Sequence, residues 1–208
     1  MTFTGFEQRD FDSFTIDGLD GRMEAIQSRI QPKFQALGEE LVDFLATRLG
    51  NEMYIHIARH ARRTVNPPND TWVAFSYNKR GYKMTPHFQV GLWDDRLFVW
   101  LAYIYELPNK KEMAELFMKE IEEFKRVVPD DFDISMNHMK KSDELMKDID
   151  VEKTLTRFKD VKSAELLIGK QFASDDPILK DGKAFLEEIE SIFDTLIPIY
   201  QMSLQYEV

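Results

Sequence analysis

Two histidines stand four residues apart in the segment His56-Ile57-Ala58-Arg59-His60, a spacing that can hold a metal ion on a helix. On a helix the two imidazoles lie about 6 Å apart along the axis, whereas in a strand they lie about 13 Å apart. The β-branched and aromatic residues of 53–60 predict a strand, and no Glu follows His56 as it does in zinc proteases. We therefore predict no metal site here and expect His56 and His60 on one face of a sheet.

Basic side chains concentrate in the same part of the chain. Residues 54–93 carry six Lys and Arg against the single acid Asp70, although the formal net charge of the chain is −10. A basic region in an acidic protein attracts an anion locally, while the overall charge repels bulk polyanions. Arg offers bidentate hydrogen bonds to phosphate or carboxylate, and Lys offers a point charge. The predicted ligand-binding residues are His60, Arg62, Arg63, Lys79, Arg80, Tyr82, Lys83 and His87.

The ligand predicted for these residues is a small phosphate-bearing anion, with a nucleic-acid segment as a weaker alternative. Four aromatic residues of the region could stack on bases: Trp72, Tyr77, Tyr82 and Trp93. The basic residues fall in two clusters, 60–63 and 78–83, and the sequence leaves open whether these form one site. It equally allows that they lie solvated on separate loops and bind nothing.

Two other functions compete with ligand binding. The protein could be an enzyme in which His60 or His87 transfers protons while arginines hold an anionic substrate. It could also be an interaction protein whose exposed aromatic surface binds a partner or a second copy of itself. Neither hypothesis has a motif of its own in the sequence.

Several kinds of chemistry are excluded or unsupported. The chain has no cysteine, which excludes disulfides, thiolate catalysis, Cys-ligated zinc and iron–sulfur clusters. It has neither of the common glycine-rich phosphate loops nor the G-x-S-x-G nucleophile motif. One acidic group with a nearby histidine matches no calcium loop: Asp130, Asp131, Asp133 and His138. We therefore predict neither a cofactor nor a metal ion.

Length and composition indicate a globular protein. A chain of 208 residues with 43% hydrophobic residues can bury a core, and it predicts a single domain over 1–208. No run approaches the roughly 18 consecutive apolar residues of a membrane span. The N-terminal residues lack the basic and apolar regions of a signal peptide. We expect a cytoplasmic protein with no membrane partner, and the oligomeric state is open.

Apolar residues spaced three and four apart predict helices on both sides of the basic region. They mark one face over 23–45, where Pro32 is expected to cause a kink and Gly50 to end the helix. Further helices are predicted over 109–127, 142–149, 151–160 and 183–197. The aromatic segment 3–16 is expected to pack on the body as a short helix or turn, and the tail from Pro198 to be extended or frayed.

Alternating and β-branched patterns predict strands between these helices. They cover 53–60, 71–77, 86–93 and 96–105, with two more at 132–136 and 164–172. The short connections predict an antiparallel meander, in which 96–105 is apolar on both faces and therefore central and covered on both sides. The order of elements predicts an α+β fold, a mostly antiparallel sheet with helices from the N- and C-terminal parts packed on it.

Four stretches of the chain also resemble a known family. They are Phe11-x-x-Phe14-x-Ile16-x-Gly18-Leu19-x-x-Arg22-Met23, Ile30-Gln31-Pro32-Lys33-Phe34-x-x-Leu37-Gly38, the run from His60 to Trp72, and Gly81-Tyr82-Lys83-Met84-x-Pro86-His87-Phe88. Together they look like the YktB-like family, uncharacterised proteins of about this length from low-GC Gram-positive bacteria. The resemblance covers essentially the whole chain and is most specific over 60–72. It implies a single compact α/β domain and no known activity.

Overall fold

The computed structural model of the protein describes residues 2–205, with helices on both sides of a set of strands. The helices are α1 (Gln8–Phe11), α2 (Leu19–Ala25), α3 (Gln31–Leu49), α4 (Lys110–Lys119), α5 (Ile121–Val127), α6 (Val151–Asp160) and α7 (Gly182–Ser203). The strands are β1 (Tyr54–Ile57), β2 (Thr71–Ser76), β3 (His87–Leu92), β4 (Arg96–Tyr103), β5 (Asp133–Ser135) and β6 (Leu166–Ala173). The predicted α+β fold is confirmed.

The strands form one antiparallel sheet of six in the order β1-β2-β3-β4-β6-β5. The first four make the predicted meander, and β3 turns tightly into β4, where the Trp93 backbone N–H donates to the Arg96 carbonyl at 2.8 Å. β6 arrives from much later in the chain and pairs with the other side of β4, so that Trp100 lies opposite Gly169. The predicted central position of β4 is therefore confirmed.

One face of the sheet packs against helices, and we call it the helix face. Its side chains include Phe75 of β2, Phe88 of β3 and Leu101 of β4, all fully buried. The Phe88 ring lies 4.7 Å from the ring of Phe193 and 5.1 Å from that of Tyr200, both on α7. Burying each large apolar side chain contributes about 1.5–3 kcal/mol, so this face holds most of the hydrophobic stabilisation.

The opposite face is covered by the loops 58–70, 77–86 and 136–145, and we call it the loop face. It carries a smaller apolar cluster around Phe98 and Trp100. Successive strand residues point to opposite faces of the sheet. The residues that alternate along the strands with the core residues of the helix face therefore point to the loop face, and some of them are polar, among them His87 and Gln89. The fold thus places a set of polar and aromatic side chains beneath loops.

The N-terminal third is helical as predicted, with a different interruption. A single π-helical turn, Ile26–Ile30, separates α2 from α3, so the irregularity expected at Pro32 lies just before it. Gly50 ends α3 in the left-handed conformation with φ 72°, as predicted. The helix predicted over 109–127 is divided at Glu120 into α4 and α5.

Three local predictions are wrong, and the first two concern the helix predicted over 142–149 and the strand predicted over 53–60. The segment 142–149 contains no α-helix and only the 3-10 turn Met146–Asp148, because Ile134 N–H donates to the Glu144 carbonyl and Met146 N–H to the Phe132 carbonyl. Strand β1 ends at Ile57, three residues before His60.

Helix α7 runs through Pro198 to Ser203, since the residues beyond the proline, Ile199 and Tyr200, are buried in the core. Residues 206–208 of the predicted tail lie outside the described residues. No helix within 2–205 combines the length and the apolar character that crossing a membrane requires.

Candidate functional site

A cleft of about 460 Å³ opens at the edge of the loop face, between the loops 58–70 and 77–86. Its charged lining consists of Arg59, Arg62, Arg63, Lys83 and one acid, Glu106. Its remaining walls include the aromatic rings of Trp72, Tyr82 and His60. We call it the basic cleft, because four cations converge there against a single carboxylate.

The loop after β1 builds one side of the basic cleft. His60 has a left-handed backbone with φ 50°, which ends the strand and turns the chain. The Arg63 N–H then donates to the His60 carbonyl at 3.0 Å, and the Arg63 guanidinium donates to the carbonyls of Asn66 and Pro67. The His60 Nε2 lies 3.0 Å from Thr71 Oγ1 at the start of β2. The His60 ring also lies edge-on to Trp72 at 5.6 Å, so it reaches the loop face that carries His56, although it does so from a loop and not from the predicted strand.

The loop after β2 builds the other side and brings one cation of the second basic cluster, Lys83, to the first cluster. Trp72 Nε1 donates a hydrogen bond to the Tyr82 hydroxyl at 2.8 Å, which holds the second half of this loop over the sheet. Lys83 consequently lies 5.5 Å from the Trp72 ring centre and pairs with Glu106 at 3.7 Å. The two clusters flank β2 along the chain, and Lys83 reaches Arg62 and Arg63 only because this loop folds back.

Three of the predicted ligand-binding residues lie outside the basic cleft. Lys79 and Arg80 are exposed at the far tip of the loop, before the part that folds back. His87 is fully buried beneath Tyr82, with ring centres 5.1 Å apart. Its Nδ1 lies 2.8 Å from the Thr85 carbonyl and its Nε2 lies 2.6 Å from Gln89 Nε2, so both ring nitrogens are engaged within the protein.

Burial shifts the titration of several groups around the basic cleft. It lowers the pKa of His60 to about 4, helped by the charges of Arg63 and Lys83. It lowers the pKa of His87 to about 4 as well, against the hydrogen bond to the Thr85 carbonyl. Both imidazoles are therefore neutral near pH 7.

Two acidic groups shift upwards for the same reason. Burial raises the pKa of Asp70 to about 6, although the charges of His138, Arg63 and Lys83 act in the opposite direction. Burial also raises the pKa of the Tyr82 hydroxyl to about 12, so that it stays protonated. Asp70 is thus a nearly buried carboxyl that titrates close to neutrality beside the cations of the cleft.

A histidine–carboxylate pair that sequence reasoning missed lies behind Trp72. His138 Nδ1 is 2.8 Å from both carboxylate oxygens of Glu165. The two residues are 27 positions apart, and His138 comes from the loop 136–145 whereas Glu165 directly precedes β6. No spacing signal could have linked them, because only the pairing of β6 with β4 and β5 brings them together.

Metal binding finds no support in residues 2–205, where no three His, Asp or Glu side chains converge to hold an ion. The acidic residues near His138 are used otherwise. Asp131 pairs with Lys170 at 3.1 Å, and Asp133 accepts hydrogen bonds from the Gln171 backbone and side chain.

Comparison with known proteins places the chain among related bacterial proteins. Residues 6–200 match a family described as a domain of unknown function, DUF1054. The UPF0637 protein of Shouchella clausii is 52% identical over 204 residues, 98% of this chain and 97% of the relative. That of Oceanobacillus iheyensis is 52% identical over 200 residues, 96% of this chain and 97% of the relative. That of Listeria monocytogenes serotype 4a is 50% identical over 205 residues, 99% of this chain and 100% of the relative.

These organisms belong to the Bacillota, which agrees with the resemblance to uncharacterised proteins of low-GC Gram-positive bacteria. The match extends over nearly the whole length of both partners in each comparison. The chain therefore belongs to the DUF1054 (UPF0637) family.

Proposed function

We propose that the basic cleft binds a small anion that carries a phosphate group. The observation that carries this proposal is that two guanidinium groups of the cleft have no partner among the described residues. Within residues 2–205, the side chains of Arg59 and Arg62 form neither an ion pair nor a hydrogen bond, although they line the same cleft as Arg63 and Lys83. Cations gathered in this way repel one another, and a bound anion would relieve that repulsion and accept their hydrogen bonds.

The shape of the cleft favours a small molecule over a polymer. Its volume of about 460 Å³ lies within the usual range of small-ligand sites. Trp72 and Tyr82 supply an apolar wall on which the ring of a sugar or base could rest. A nucleic acid would extend beyond the cleft over a protein whose net charge is −10, and that repulsion disfavours it.

The conformation of His60 adds support. A non-glycine residue with φ 50° costs about 1–3 kcal/mol, and such residues are concentrated at functional sites. His60 is nevertheless a weak proton-transfer group, because burial holds its pKa at about 4. His87 has no access to a ligand, so the enzyme hypothesis based on these two histidines has less support than binding.

Thermal unfolding with a panel of anions tests the proposal. The panel comprises inorganic phosphate, nucleotides, sugar phosphates, short RNA and short DNA, each at low and high salt. A ligand that binds only the native protein at about 100 times its Kd should raise Tm by roughly 5 °C or more. A shift with RNA or DNA alone that falls steeply with salt would instead indicate a polyanion groove. The absence of any shift would contradict the proposal.

Two charge-reversal variants make the test specific. Arg62→Glu with Arg63→Glu should abolish the anion-dependent rise in Tm, because it places two negative charges in the basic cleft. Lys79→Glu with Arg80→Glu makes the same change in net charge on the exposed tip outside the cleft and should keep the rise. Equal loss in both variants would show that overall charge, and not the cleft, attracts the ligand.

A second candidate function is docking of a protein partner or of a second copy. Apolar side chains that are strongly exposed lie on or beside the loops of the loop face: Val65, Met84, Tyr105 and Met139. Light scattering at several protein concentrations distinguishes this candidate, since a stable dimer would support it. A monomer at all concentrations would argue against self-association.

A further inference from the structure

His138 and Glu165 form a hydrogen-bonded side-chain pair that the proposed anion binding does not involve. Glu165 is only 2% exposed and His138 is 16% exposed. The carboxylate also accepts the His138 backbone N–H at 2.6 Å and the Tyr105 backbone N–H at 3.4 Å. These backbone contacts already hold the loop 136–145 to the sheet, so anchoring the loop does not require an imidazole.

The hydrogen bonding sets the protonation pattern of the His138 ring. A carboxylate only accepts, so Nδ1 carries a hydrogen, and in the neutral ring Nε2 carries the lone pair. Within residues 2–205, Nε2 of His138 has no hydrogen-bond partner. The other three histidines each engage Nε2, with the Asn78 carbonyl, the Thr71 hydroxyl and the Gln89 amide respectively. His138 thus combines an oriented ring with an available basic nitrogen.

The ring stands next to the aromatic wall of the basic cleft. It lies nearly parallel to Tyr105, at 17° and 6.5 Å, and edge-on to Trp72, at 72° and 6.5 Å. Trp72 also contacts His60 at 5.6 Å inside the cleft, and Tyr105 directly precedes the cleft residue Glu106. Packing on two sides fixes the plane of the imidazole beside the place where an anion would bind.

We propose that His138 is a general base of the basic cleft and that Glu165 is its positioning residue. Nε2 accepts a proton from a water molecule or from a hydroxyl group of the bound anion. The O–H bond breaks, an N–H bond forms, and the nearby Glu165 carboxylate stabilises the imidazolium until the proton passes to solvent. This inference rests on the proposed function, because the anion supplies the reacting group or holds the water.

Labelling with diethyl pyrocarbonate tests the base directly. The reagent acylates imidazole nitrogens that carry a lone pair, and peptide mass spectrometry gives the rate at each histidine of the full-length protein. At pH 7 we expect His138 to be labelled fastest. Glu165→Gln should slow labelling of His138, because a neutral amide makes Nε2 less basic and therefore a weaker nucleophile than a carboxylate partner does, and should leave the rate at His60 unchanged. His87 should stay unlabelled in both proteins and serves as the folding control.

A second measurement needs no variant. Inorganic phosphate, or the panel anion that gives the larger rise in Tm, should protect His138 of the wild-type protein from labelling. Labelling of His138 no faster than that of His60 would overturn the inference. A rise in Tm without protection of His138 would also overturn it and leave the proposed function standing. Fast labelling that depends on Glu165, without any rise in Tm, would overturn the proposed function and with it the bound anion as the partner of the base, while the reactive His138–Glu165 pair would stand.

Discussion

The helix face and the loop face share every strand, and on β3 they alternate residue by residue. Phe88 points to the helix face and meets the aromatic rings of α7, whereas Gln89 points to the loop face and meets His87. Both residues are buried. On the helix face the contacts are apolar and do not depend on a particular orientation of the groups. On the loop face each buried polar atom needs a hydrogen-bond partner at a defined distance and angle.

This difference separates stability from recognition within one sheet. Apolar burial on the helix face contributes free energy without choosing an orientation for any polar group. The loop face orders rings and donors through specific bonds, such as the Ser76–Thr85 hydroxyl contact at 2.9 Å and the Trp72–Tyr82 bond. Arg59 and Arg62, whose side chains have no partner within residues 2–205, and the His138 Nε2 lie on or beside this second face. A ligand would therefore find unmet hydrogen-bonding capacity there.

Truncating neighbouring residues of β3 tests whether the two faces contribute differently to stability. Phe88→Ala should lower the free energy of unfolding by about 3–5 kcal/mol, because it removes a fully buried ring and leaves a cavity. Gln89→Ala should cost about 1–3 kcal/mol, since it leaves the His87 Nε2 without its partner. Urea denaturation measures both. Equal losses would mean that the two faces contribute alike.

Acid should weaken the loop face before the helix face. His87 and His60 have pKa values of about 4 in the native protein and near 6.5 when unfolded, so below pH 6.5 the unfolded chain binds more protons. The free energy of unfolding should therefore fall as pH is lowered from 6.5 to 4, by up to about 3 kcal/mol from His87 and by less from the half-buried His60. Asp70 opposes this, because its native pKa of about 6 lets the folded state take up a proton first.

Urea titrations at several pH values would measure that slope, and a variant isolates its source. His87→Gln removes the titrating group and should flatten the dependence between pH 6.5 and 4. A slope identical to that of the wild-type protein would show that His87 does not link folding to protons.

The smallest expected effect concerns the bond that closes the basic cleft. Tyr82→Phe leaves Trp72 Nε1 without its acceptor and should cost about 1 kcal/mol in stability. Because this bond holds Lys83 over the Trp72 ring, the variant should weaken anion binding more than it weakens the fold. The Tm of the variant without phosphate measures the loss of stability, and the rise in Tm that phosphate causes measures anion binding. Unchanged anion affinity would show that the loop keeps its position without the bond.

Much of the fold was predictable because its signals are local. The β-branched and aromatic runs of β2, β3 and β4 and the glycine at the end of α3 each determine structure within a few residues. The segment 142–149 could not be predicted, because Leu145 and Ile149 have helical spacing while the backbone of Leu145 and Met146 pairs with that of Asp133 and Phe132. The continuation of α7 past Pro198 likewise depends on tertiary burial, which outweighs a local helix breaker.

The sequence predicts only those residues of the site that belong to a cluster of basic residues. Arg62, Arg63 and Lys83 were identifiable from the basic region, and they line one cleft. Lys79 belongs to the same cluster in sequence, yet the folding back of the loop depends on the contact between Trp72 and Tyr82, which composition does not reveal. His138 stands alone among lysines and acids, so only the tertiary structure connects it to Glu165.

The strand order also implies a sequence of events during folding. The meander β1–β4 needs only near-neighbour contacts, whereas β6 pairs with β4 across about 70 residues and pays a larger loop-closure entropy. Both loops of the basic cleft belong to the meander, but Glu165 arrives with β6 and His138 with the loop beside it. An intermediate with a formed meander and an undocked β6 would already hold the arginines and Lys83 in place, and would acquire the oriented His138 only in the last step of assembly.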